Sequence, residues 1–259
     1  MTVSDGSPKL PGPTGGLAGL NHLDGPVRDL LAQNDFFVSV FEETFRGDAL
    51  DAKYPTAKTN GASAAVTFTE HNAQGFLDFV TGTDDDGYAG QGLGMQYTGD
   101  RGVLAEFLFE TPASIATYKL EVALTDADDD AGGVSGKSGP TMTAGDFAGL
   151  VFDTDDDTNT TLITVKDGGT PAAVEQTDFD LAASTVYYAT IRIIDDNVWA
   201  TIQGVSGTNT AKFTYANATA GAGIQGGTAL TPWFFTQARA GTASRTTKLY
   251  KYRMTTLAW

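Results

Sequence analysis

The chain contains no cysteine, and that absence removes disulfides, thiolate metal sites and cysteine nucleophiles together. Histidine is nearly as scarce. His22 and His71 stand apart, neither lies in a metal-ligand spacing, and no Ser-His-Asp set can be assembled around them. Positive charge is thin: 16 Lys and Arg face 32 Asp and Glu, for a net charge of −16. Binding to nucleic acid needs clustered cations to neutralise phosphates, so the balance argues against that partner. No stretch approaches the roughly 18 apolar residues of a membrane span. The opening residues, Met1 to Pro13, have no apolar h-region, so secretion by a signal peptide is not expected. The expected place is the cytosol, unless the chain travels inside a larger particle. No P-loop or dinucleotide-type glycine motif occurs.

What the chain does have is 41% hydrophobic residues, 31 glycines and 9 prolines. That mixture suits many short strands joined by turns. The centre of the pattern is Phe147–Val165: an apolar lead-in through Val151 and Phe152, the polar turn Asp153-Thr-Asp-Asp-Asp-Thr-Asn159, and an apolar lead-out through Leu162, Ile163 and Val165. A second hairpin is predicted from Val186–Ile194 and Val198–Gln203 across Asp195-Asp-Asn197. Further strands are predicted at Phe36–Phe45, Val66–Thr69, Phe76–Val80, Val103–Phe109, Tyr118–Leu124, Ala211–Tyr215, Trp233–Ala238 and Lys248–Met254, about a dozen in all. In Tyr118–Leu124 the alternation puts Tyr118, Leu120, Val122 and Leu124 inside and Lys119 and Glu121 outside. Ala131–Gly139 reads as a flexible loop. Asp178 and Asp180 fall in a loop-like stretch.

Ahead of the strands the character differs. Residues 1–23 form a Pro/Gly-rich arm, either a tail or a segment that orders against a partner. Asp24 to Asn34 reads as a short helix, with Pro26 in its first turn and Val27, Leu30 and Leu31 on one face. The reading is therefore an appendage, 1–35, followed by one β domain, 36–259. Leu10, Leu17 and Leu20 in the arm, with Val27, Leu30 and Leu31, are its candidate docking residues.

Four stretches carry a family resemblance: Gly149-Leu-Val-Phe-Asp-Thr-Asp-Asp-Asp157; Thr185-Val-Tyr-Tyr-Ala-Thr-Ile-Arg-Ile193; Val198-Trp-Ala-Thr-Ile-Gln-Gly204, where Gln203 replaces the usual Asp; and Leu230–Gln237 with Lys248–Arg253. Together they resemble the concanavalin A-like (laminin-G/lectin) jelly rolls, particularly those of tailed-phage structural proteins. The resemblance implies an all-β jelly-roll sandwich with an extended N-terminal arm and one short helix. It covers lectins, hydrolases and structural modules alike.

The chemistry of the residues narrows this. A hydrolase of the family would need a Glu-x-Asp-x-(x)-Glu strand, which is missing. Glu106 and Glu110 share a strand face but stand ~13 Å apart at about 3.3 Å per residue, beyond either glycosidase geometry. The acidic runs Asp84–Asp86, Asp126–Asp130 and Asp153–Asp157 read first as solvated turns. Calcium at the third is the alternative, with Asp153, Asp155 and Asp157 as ligands, although Thr158 and Thr164 stand where an EF-hand needs Gly and Glu. Trp199 and Trp233 are expected in the core, with sugar stacking as the other role for them and for Tyr88 and Tyr97. The favoured function is a non-enzymatic virion protein on the outer capsid surface. Its arm and helix would dock on the major capsid protein, as a homo-oligomer with a trimer favoured. The alternative is a glycan-binding fibre or receptor-binding module for cell-surface glycans. A polysaccharide hydrolase comes last.

Overall fold

The computed structural model describes residues 37–45, 54–69, 75–94, 97–99, 102–128, 132–194, 197–205, 212–216, 224 and 227–258. The expected arm and helix, with Leu10, Leu17, Leu20, Val27, Leu30 and Leu31, lie outside them, as do His22, His71 and Trp259. Residues 40–256 form one compact unit.

Within the described residues the chain is all-β, with sixteen strands in two antiparallel sheets. The first sheet runs β14 (Lys212–Ala216), β13 (Asn197–Gly204), β12 (Val186–Ile194), β7 (Val103–Glu110), β16 (Thr246–Ala258), β4 (Phe76–Val80), β3 (Ala65–Thr69), and β1 (Phe37–Glu43) also pairs with β16. The second runs β11 (Ala172–Asp180), β10 (Asn159–Val165), β9 (Phe147–Asp153), β8 (Tyr118–Thr125), β15 (Ala229–Ala238), β5 (Tyr88–Gly92), β2 (Lys58–Asn60), and β6 (Tyr97–Thr98) also pairs with β15. Both predicted hairpins form. β9 meets β10 with Phe152 opposite Thr160, and β12 meets β13 with Ile194 opposite Asn197. Asn197 thus belongs to the strand and not to the second turn.

Between the sheets lies the main core. Phe79 packs at a tilt against Phe234 with 4.8 Å between ring centroids, Phe109 packs against both Phe234 and Tyr187, and the fully buried Tyr118 exchanges a 2.6 Å hydrogen bond with Thr247. Strand alternation then puts the intervening side chains on the opposite face. For the second sheet that face is also buried. Ala123, Phe147, Val151, Ile163, Val165, Trp233 and Phe235 form a second cluster with Val134 and Ala144, and Met142 packs against it. Val134, Met142 and Ala144 belong to the connection from β8 to β9, which lies over the sheet as a third layer. All eight residues of β8 are consequently buried.

This corrects two expectations. Lys119 and Glu121 do face away from the main core, but both are fully buried beneath the cover. Residues 132–139 are a packed part of that cover. A further correction concerns Asp178 and Asp180, which belong to β11 and not to a loop.

Candidate ligand-binding site

The cover meets the β9–β10 turn at one end of the second sheet, and polar chemistry concentrates there. Lys119 and Glu121, two residues apart on β8, make an ion pair of 2.7 Å with both side chains wholly buried. An isolated charge at this depth would be strongly disfavoured, so each must be met by further polar groups. The Lys119 ammonium donates to the Val134 carbonyl. The Glu121 carboxylate accepts from the Gly133 N–H at 2.8 Å and from the Trp233 indole N–H at 3.0 Å. The pair therefore ties the cover to the aromatic floor. Gly132, at φ 86° with a Glu121 oxygen 2.5 Å from where its Cβ would stand, leaves no room for a side chain at the start of this tether.

The acidic turn supplies the second set of ties. Asp153, fully buried, accepts from Arg239 Nε at 3.1 Å and from the Asp155 N–H at 3.2 Å, while Asp155 lies 3.3 Å from the same Nε. Burial raises the Asp153 carboxyl above its usual range, with Arg239 pulling the other way. One oxygen of Asp156 accepts from the backbone N–H groups of Lys137 and Ser138, at 3.0 and 2.9 Å. Asp157 accepts from the Asn159 N–H at 2.7 Å, an Asx-type turn. It also receives the Lys137 ammonium, which donates to the Asn159 carbonyl at 2.7 Å and lies 3.5 Å from Glu175. Burial lowers the Lys137 pKa by more than Glu175, Asp156 and Asp153 raise it.

Beside Lys137 opens a shallow cavity of about 190 Å³, lined by Lys137, Ser138, Asp157, Thr161, Ala173 and Glu175. The lysine side chain is 2% exposed, whereas Asp157 and Glu175 are 43% and 37% exposed. A buried cation thus backs a rim of carboxylates and hydroxyls.

The residues singled out from the sequence are placed as follows. Asp153, Asp155 and Asp157 do share one turn, but Arg239 faces the first two and Lys137 the third. Among the described residues no group of three metal-ligating side chains converges. Asp84 and Asp85 cap backbone N–H groups of Ala62 and Gly241. Trp233 is fully buried, as expected. Trp199 is not a core residue. Alternation on β13 sends Val198, Ala200 and Ile202 inward and leaves Trp199 half-buried on the outer face, with the Arg192 guanidinium 4.4 Å from its ring centroid. Tyr97 is in the main core, and Tyr88 packs on Phe235. Glu106 contacts Tyr188 and Glu110 contacts Tyr250 and Lys248 on the outer face of the first sheet. The sequence reading missed Lys137, Arg239 and Glu175. The one available signal was that three of the few cations, Lys119, Lys137 and Arg239, fall in otherwise apolar or glycine-rich stretches.

Comparison with known proteins supports the fold alone. No family model matches the sequence, and neither does any curated protein. Among solved structures, a protein of unknown function from Shewanella oneidensis MR-1 matches 91% of this chain and 95% of its own, at TM-score 0.56 and 15% identity. Peanut lectin matches over 86% and 99%, at TM-score 0.56 and 12% identity. The CBM2 module of the evolved Dit of Lactobacillus casei BL23 phage J-1 matches over 86% and 99%, at TM-score 0.53 and 10% identity. The architecture is the concanavalin A-like lectin jelly roll.

Proposed function

We propose that the chain is a non-enzymatic glycan-binding module of a virion, with the cavity beside Lys137 as its sugar site. The observation that carries this reading is the mixed lining of that cavity. Ser138 and Thr161 can donate or accept, Asp157 and Glu175 accept, and sugar hydroxyls do both. Peanut lectin and the CBM2 module of the phage J-1 Dit share this fold, which is in keeping with a glycan as ligand and a virion as setting. A glycan array, run with and without chelator, is the test. Binding that disappears when exposed Ala173 is replaced by Trp, filling the cavity, is the expected result. Loss on chelation would add a cation requirement to the binding. Silence across the array in both conditions would overturn the reading.

The second reading is capsid decoration. Its supporting observation is the Pro/Gly-rich arm ahead of a short apolar stripe in residues 1–35. In this reading Leu10, Leu17, Leu20, Val27, Leu30 and Leu31 dock on the major capsid protein, with a trimeric sandwich outermost on the shell. Mass spectrometry of purified particles separates the two, since hundreds of copies fit decoration and a few fit a fibre. Attachment that survives deletion of residues 1–35 would sink the docking role. A hydrolase would be revived only by reducing-sugar release.

A further inference from the structure

The polar cluster at Lys137 holds a buried amine, a carboxylate in contact with it and a second carboxylate close by. An amine stripped of water is a better nucleophile than a hydrated ammonium, and its reaction with a carboxyl group needs no oxidant, metal or cofactor. Lys137 Nζ touches Asp157 Oδ1, with Glu175 Oε1 3.5 Å away. The Asn159 carbonyl, at 2.7 Å, fixes the direction of the amine. The Asn159 N–H already donates to Asp157 Oδ1 at 2.7 Å, where negative charge would gather in a tetrahedral intermediate.

We propose that Lys137 and Asp157 condense into an intramolecular isopeptide bond, with Glu175 as the proton carrier. Glu175 takes a proton from Nζ and delivers it to Asp157 Oδ2, and the freed electron pair attacks Cγ of the resulting acid. The intermediate carries its charge on Oδ1 against the Asn159 N–H. The Cγ–Oδ2 bond then breaks. The second amine proton completes the departing water, which leaves through the cavity. Ammonium and carboxylate become amide and water, so atoms and charge balance. The link would join the cover of the second sheet to the β9–β10 turn covalently, in a chain whose lack of cysteine rules out the other common cross-link.

The test is the intact mass of the purified full-length chain, followed by peptide mapping. The expected result is a mass lower than the sequence mass by one water, and a branched peptide joining the Lys137 and Asp157 segments. Lys137→Arg should restore the full mass, and Glu175→Gln should leave most of the chain unlinked. A native chain at its full sequence mass overturns the proposal, whatever the variants do. So does a water loss that maps to a succinimide at Asp86-Gly87 or Asp167-Gly168. Neither readout involves glycan binding, so failure of this inference is distinguishable from failure of the proposed function, although both draw on Asp157 and Glu175.

Discussion

Phe234 and Phe235 are neighbours on β15, yet they belong to two differently built interiors. Phe234 points between the sheets, where strands from both sides supply the apolar surface and backbone groups are met by the ladders. Phe235 points into the second cluster, roofed by a connection that has little ladder of its own, the Val134–Met142 bridge apart. Two sheets can close on each other by hydrophobic burial alone. A connecting segment laid over a sheet brings backbone N–H and C=O groups that must find partners, and here buried or half-buried charges provide them. The second interior therefore depends on Lys119, Glu121, Asp156 and Lys137 as much as on its aromatics.

The largest expected effects test that difference directly. Phe234→Ala should cost about 3–5 kcal/mol as a large-to-small change in a packed core. Lys119→Met should cost a similar amount, about 3–5 kcal/mol, because Glu121 is left buried without its cation. Denaturant titration reads both. If Lys119→Met were neutral, the cover would not rest on the ion pair.

Alkaline pH separates the interiors without mutation. Burial pushes Tyr97 and Tyr118, both in the main core, from 10.0 up to about 12. Their folded-state values are raised, so their contribution is whole below pH 10 and is lost as pH rises toward 12. Each accounts for up to about 2.7 kcal/mol over that span. Stability should fall across this window as tyrosinate absorbance appears, and Tyr118→Phe should flatten the fall. The smallest effect concerns the edge of the cover. Asp156→Ala removes the acceptor of two backbone N–H groups and should cost about 1–3 kcal/mol. It should show first as protease cleavage within residues 132–143, before global unfolding. Cleavage unchanged from the parent would mean that the Asp156 tie is dispensable.

These contrasts also mark what could be read in the sequence. β9, β10, β12 and β13 were legible because apolar runs meet at polar turns. β5 was not. Tyr88-Ala-Gly-Gln-Gly92 has few strand-forming side chains, and the reason is steric: a Cβ on Gly90 would stand 2.7 Å from the Phe235 ring and 2.8 Å from that of Trp233. The strand is small because its neighbour is large. β11 was obscured by its polar residues, which an edge strand tolerates. The cover escaped notice because its ties are long-range. Nothing local to Gly132–Gly139 announces Glu121 or Asp156, and glycine-rich composition reads as looseness when its partners are unknown. Asp153–Asp157 stands out as an acidic run, but the cations facing it come from the end of β15 and from the cover, where no motif announces them.

β16 carries an irregularity whose consequence lies in lineage more than in stability. Between Leu249 and Lys251 its register against β7 slips by one residue, so that Leu249 and Tyr252, three apart, both reach the core. Anywhere else in this strand, losing or gaining one codon would exchange its inner and outer faces. At Tyr250 a loss would only iron the strand straight, sacrificing the Tyr250 contacts with Phe76 and Glu110. Descendants of this gene should therefore show their length variation in β16 at that one position, and their alignments should be gapped there.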